Sequence, residues 1–150
     1  MDHVAIMESS RGLIPKILSG EKTIESRWYR ARFAPWNKIQ AGEIIYFKDA
    51  GQPITARATV ECVLQFDHPT KKVLLKLLEN FGGNPGICFS DSRAQTLRWA
   101  TQRPFVILLF LKDARRIKPF KIDKAGFGNA CAWLTMSDFE QRKQPVYEND

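Results

Sequence analysis

Cysteine is scarce in this sequence, histidine scarcer, and long apolar runs are missing. Three cysteines, Cys62, Cys88 and Cys131, lie far apart. An odd count with no CxxC pair argues against a disulfide framework. Cys62 and Cys131 sit among apolar neighbours and read as small core residues. The two histidines, His3 and His68, are isolated, so no metal-ligand spacing exists and neither a metal nor a cofactor is expected. The longest apolar run, "FVILLFL" at 105–111, has seven residues, whereas a membrane span needs about 20. The opening "MDHVAIMESS" carries Asp2 where a secretion signal needs positive charge. No membrane association and a cytoplasmic location are therefore expected. Internal repeats and low-complexity linkers are also missing.

What is present suits one compact domain. The chain has 150 residues and is 44% apolar, enough for a single core and too little for two. A domain over 1–143 is expected, with a flexible tail over 144–150. The formal charge is +7. A positive field attracts polyanions, although many basic proteins bind none.

Periodicity gives the elements. "HVAIM" reads as a short buried strand. "SRGLIPKILSG" reads as a short helix capped by Ser9 or Ser10 and ended by Gly20. "KTIESRWY" alternates, with Ile24, Ser26 and Trp28 on one face and Thr23, Glu25, Arg27 and Tyr29 on the other. "EIIYFKD" and "ITARATVECVLQF" form a hairpin across "AGQP". A helix capped by Thr70 and stopped by Gly82 follows, then a second helix capped by Ser90 or Asp91. "PFVILLFLKDARRIKPFKI" is a buried strand running into a basic edge strand, and "GFGNACAWLTM" closes the core. Gly126 and Gly128 in that last stretch fit either a tight turn or a close backbone approach to a ligand. Strands interrupted by helices predict an α+β fold with a curved, barrel-like sheet.

The stretch "LSGEKTIESRWYRARF" combines dense charge with three aromatics. Glu25 and Arg27 are two apart on a strand and share a face. They can pair and present a guanidinium fork to a phosphate or base edge. Lys22 enters the strand just after Gly20 lets the chain turn. The alternative is a solvated surface network of weak ion pairs.

Gly20, Lys22, Glu25 and Arg27 fit the G-x-K-x-x-E-x-R signature, and here the sequence resembles the ASCH domains. The resemblance covers about residues 3–66 and extends to the strand near 105–111. It implies a PUA-like β-barrel, mixed and mostly antiparallel, with helices at its rim and a cleft around the signature. Residues 67–103 would be a helical insert. The family is associated with RNA binding. Some members resemble ribonucleases and others resemble amidohydrolases acting on N4-acetylcytidine. In the last group a lysine is the base and a threonine three residues later the nucleophile. Here Glu25 stands at that third position, and Thr23 should face the other way. Were this chain a hydrolase, Lys22 and Glu25 would be its catalytic pair, Glu25 acting on water.

The expected ligand is RNA or a modified nucleoside. Arg30, Arg32 and Trp36 lie near the signature, with Tyr29 and Phe33, and mix stacking surface with phosphate contacts. Trp28 shares a face with Ile24 and reads as core. Residues 112–124 hold six basic and two acidic side chains. Arg115, Arg116 and Lys118 there form either a phosphate track or a soluble edge kept unpaired by charge and Pro119.

Overall fold

The structure, a computed structural model, describes residues 1–147. Seven strands form one sheet: β1 (Asp2–Met7), β2 (Ile24–Tyr29), β3 (Ile44–Asp49), β4 (Ile54–Asp67), β5 (Phe105–Ile122), β6 (Trp133–Met136) and β7 (Lys143–Gln144). The helices are α1 (Leu13–Ser19), α2 (Lys71–Phe81), α3 (Arg93–Thr101) and α4 (Phe139–Arg142). The sheet order is β2-β5-β4-β3-β1-β6, with β7 beside the end of β5. Ladders are antiparallel except β1 against β3. This is the expected α+β architecture with a curved, mixed and mostly antiparallel sheet.

The curl follows from where the two ends of the sheet go. Tyr29 of β2 and Trp133 of β6 pack into one apolar cluster with Met7, Ile107 and Leu109. The ends approach without forming a ladder, which leaves a seam. A second cluster places Ile24, Trp28 and Leu108 against Leu74, Leu77 and Ala100 of α2 and α3. A third puts α4, through Phe139, on Val4, Tyr46 and Leu134. Trp28 is thus a core residue, as its spacing suggested.

β4 and β5 twist through three register shifts, one of them between Val60 and Cys62. That bulge reverses the alternation. Val60 is buried, but Cys62 is exposed and Cys131 only half-buried, against the expectation that both are core. All three cysteines are free.

The helix stops are as expected at Gly20 and Gly82, and Thr70 caps α2 through the Val73 N–H. Two starts differ. Ser9 and Ser10 belong to a 3-10 turn, and the residue before α1 is Gly12 in a left-handed conformation, without a side-chain cap. Ser92, rather than Ser90 or Asp91, caps α3 in a reciprocal box with Gln95. A serine two residues later in the same polar run offers the same chemistry, so sequence alone does not separate the choices.

Beyond Leu111, β5 loses β2 as neighbour and its basic half lies along β4 alone until β7. Of the expected tail, Gln144 pairs with Lys121, and 148–150 lie outside the described residues. Among the described residues no helix is long and apolar enough to cross a membrane.

Candidate functional site

Gly20 ends α1 with φ 85°, a turn that costs a glycine little. The Lys22 N–H then returns to Lys16 O at 2.9 Å. Gly86, from the loop after α2, grips the start of β2. Its carbonyl accepts from Thr23 N and Ile24 N, at 3.0 and 3.3 Å, and its N–H donates to Glu21 O at 3.2 Å. The chain between α2 and α3 is thereby sewn to β2.

A cavity of about 500 Å³ opens at the seam. Glu25 to Tyr29 of β2 form one wall, joined by Lys22. Met7 and Glu8 at the end of β1, with Arg11 and Ala132, form the opposite side. Ile87, Phe89, Ser90 and Asp91, with Thr96 and Trp99 of α3, contribute a third.

Lys22 is only 4% exposed, and its Nζ donates to Ile87 O at 2.8 Å. Burial lowers its pKa below the ordinary lysine value, because charge is disfavoured away from water, while the Glu25 charge pulls it back up. Glu25, also 4% exposed, lies with Oε1 3.4 Å from Arg27 Nε. That is ion-pair distance without hydrogen-bond geometry. Glu25 Oε2 and Arg27 Nε are both buried without a hydrogen-bond partner. Arg27 reaches across the seam instead: Nη1 donates to Ala132 O at 3.3 Å, Nη2 approaches Met7 Sδ at 3.6 Å, and the guanidinium lies 5.1 Å from the Trp133 ring centre. Burial raises the pKa of the neighbouring Tyr29, against the pull of Arg27.

Three of the aromatics that line the cavity form a cluster. Trp28 lies 5.5 Å from Trp99 and 6.0 Å from Phe89, and Phe89 lies 6.2 Å from Trp99, all between ring centres. A cavity with aromatic and charged walls suits a flat polar ligand.

The structure therefore joins Lys22, Glu25 and Arg27, with Gly20 acting through the turn. Tyr29 closes β2 and lines the cavity with Glu25 and Arg27, in keeping with the strand alternation. The other residues lie apart from this cavity. Arg30 is exposed just past β2. Arg32 pairs with Asp67 at 3.1 Å. Trp36 is half-buried, edge-on to Phe105 at 5.3 Å. Arg115, Arg116 and Lys118 are exposed on the basic half of β5.

The wall from Phe89 to Trp99 went unnoticed in the sequence. Its capping chemistry marks a helix, but nothing local says that the helix packs against β2. Met7, Arg11 and Ala132 carry no signal either.

No family model matches the chain, and no curated protein matches it. Solved structures do. The crystal structure of ASCH from Zymomonas mobilis aligns with 18% identity over 97% of this chain and 98% of that one, with a TM-score of 0.63. A tyrosine-to-phenylalanine variant of the same protein gives 19% identity, 93% of both chains and a TM-score of 0.64. A serine-to-alanine variant gives 19%, 93% of this chain, 91% of that one and 0.64. The protein has the fold of these ASCH structures.

Proposed function

We propose that the seam cavity binds a nucleobase, presented by RNA or by a modified nucleoside, on Lys22, Glu25 and Arg27. The observation that carries this reading is the pair of buried atoms without a hydrogen bond, Glu25 Oε2 and Arg27 Nε, the latter held only by its ion pair with Glu25 Oε1. An unsatisfied buried polar group costs about 1–3 kcal/mol. Two of them beside one cavity are accounted for if a polar ligand completes their bonding. A carboxylate oxygen accepts from a base N–H or amino group, and a guanidinium N–H donates to a base oxygen or nitrogen. The volume falls in the range of about 300–1,000 Å³ used by small-molecule sites. The net charge of +7 favours encounter with nucleic acid. The likeness to ASCH domains points the same way. Arg30, Arg32, Trp36, Arg115, Arg116 and Lys118 would then contact the strand outside the cavity.

Calorimetric titration with the four ribonucleosides, N4-acetylcytidine and short single-stranded RNA tests this. Glu25→Gln should weaken the tightest ligand at least about ten-fold, the loss of one charged hydrogen bond. Equal affinity in wild type and variant would sink the reading.

A second reading, hydrolysis in the same cavity, draws on the lowered pKa of Lys22. A buried amine with a lowered pKa sheds its proton at lower pH, so more of it stands as free amine, able to take a proton. Glu25 would activate water, and Thr23, absent from the cavity lining, would take no part. Product release from N4-acetylcytidine or RNA, unchanged by both Glu25→Gln and Lys22→Ala, rules this out.

A further inference from the structure

We propose that Trp99 is the stacking residue of the seam cavity, so that the site selects a flat aromatic ring in addition to reading a hydrogen-bonding edge. The inference rests on the nucleobase reading above and assigns specificity to a helix outside the G-x-K-x-x-E-x-R stretch.

Trp28, Phe89 and Trp99 line one side of the cavity, but they are not equivalent. Trp28 is 7% exposed, and its indole N–H is spent on Ser26 Oγ at 2.9 Å. It packs with Leu74, Leu77 and Val106 in the core and serves as a floor. Phe89 is half-buried, packed against the same cluster. Trp99 is 37% exposed while still lining the cavity. A large aromatic left in water at a cavity wall is the one available to a ligand.

Trp99 is also held in place. The Arg103 guanidinium lies 4.7 Å from its ring centre, and Arg103 Nη1 donates to the Trp99 carbonyl at 3.0 Å. Arg103 is not among the cavity-lining residues, so it braces the indole from outside. Trp28 supports it at 5.5 Å from within. The reciprocal cap of Ser92 and Gln95 fixes the start of the same helix. A preoriented ring loses little freedom on stacking, which is the arrangement that makes aromatic contacts to bases effective.

The test compares uridine with 5,6-dihydrouridine. Both present the same pairing edge to Glu25, but only uridine has a flat aromatic ring. In wild type, uridine should bind on the order of ten-fold tighter. Trp99→Ala should bring the two affinities together, and Trp99→Phe should restore most of the preference. A general loosening of the fold would not act on this ratio. Circular dichroism and thermal melting check that both variants fold, which the exposure of Trp99 favours. If wild type prefers uridine and Trp99→Ala keeps that preference, the stacking assignment is wrong. If wild type binds both nucleosides equally, it is wrong as well, while sensitivity of that binding to Glu25→Gln leaves the nucleobase reading standing. If neither nucleoside nor any ligand in the wider titration binds, both fall together.

Discussion

Lys22 Nζ donates to the Ile87 carbonyl at 2.8 Å, joining two residues 65 positions apart in a buried bond. This bond places the loop before α3 against the strand that carries Glu25 and Arg27. It also ties the titration of one lysine to the integrity of the cavity.

That titration has a sign. The ordinary lysine value is 10.5, and burial lowers it in the folded chain. Between the lowered value and 10.5 the unfolded chain holds a proton that the folded chain has released. Stability then rises with pH. Against Lys22→Met, which cannot titrate there, wild type should gain melting temperature as pH climbs from neutral toward 10.5. A constant difference across that range contradicts the burial of the amine.

His3 has the same sign at lower pH. It is fully buried, accepts the Trp133 indole N–H on Nδ1 at 3.2 Å, and meets Glu43 through Nε2 at 3.0 Å. Thr135 Oγ1 lies 3.1 Å from Nδ1. Burial lowers its pKa below 6.5, outweighing the opposite pull of Glu43. The unfolded chain therefore takes up the proton first. The associated stability is present above pH 6.5 and lost as pH falls through the folded value. Melting temperature should drop faster with acid in wild type than in His3→Gln, and parallel curves would refute this.

Gly86 and Gly20 should differ when replaced by alanine. A Cβ on Gly86 would collide with Phe81 O and meet Gly83 O at 2.8 Å, both backbone atoms. Gly86→Ala is expected to cost at least the upper end of about 1–3 kcal/mol and to loosen the loop from β2. Gly20 has φ 85° but nothing within 4 Å. Its replacement should cost about 1–2 kcal/mol from backbone strain alone. Denaturant melts of the two variants measure both, and equal costs would contradict the close approach at Gly86.

Ser92→Ala removes the cap of α3 and should cost about 1 kcal/mol. Because α3 carries Trp99, faster amide exchange in residues 93–97 should accompany the loss. No change in either would show that the helix start is held by packing instead.

Charge removal on the basic half of β5 tests whether the ligand is an RNA strand or a free nucleoside. If phosphates lie along it, replacing Arg115, Arg116 and Lys118 with alanine should flatten the salt dependence of oligonucleotide binding by about 0.7 in log–log slope per contact. Nucleoside affinity should stay the same. An unchanged slope would leave these residues as a charged, solvated edge.

Local patterns carried far in this chain. Alternation placed Glu25 and Arg27 together, Thr70 and Gly82 bounded α2, and the spacing of Ile24 and Trp28 marked the core. Each depends on neighbours within a turn or a few strand positions. The same reasoning failed where partners come from elsewhere. Cys62 follows the alternation of a regular strand, but a bulge against β5 turns it out. Tertiary structure alone decided that Lys22 is buried, that Arg27 crosses to Ala132, and that Trp99 stands in the same cavity. These contacts join the two ends of one curled sheet to a distant helix. Their energy comes from burying surfaces that no short window of sequence contains.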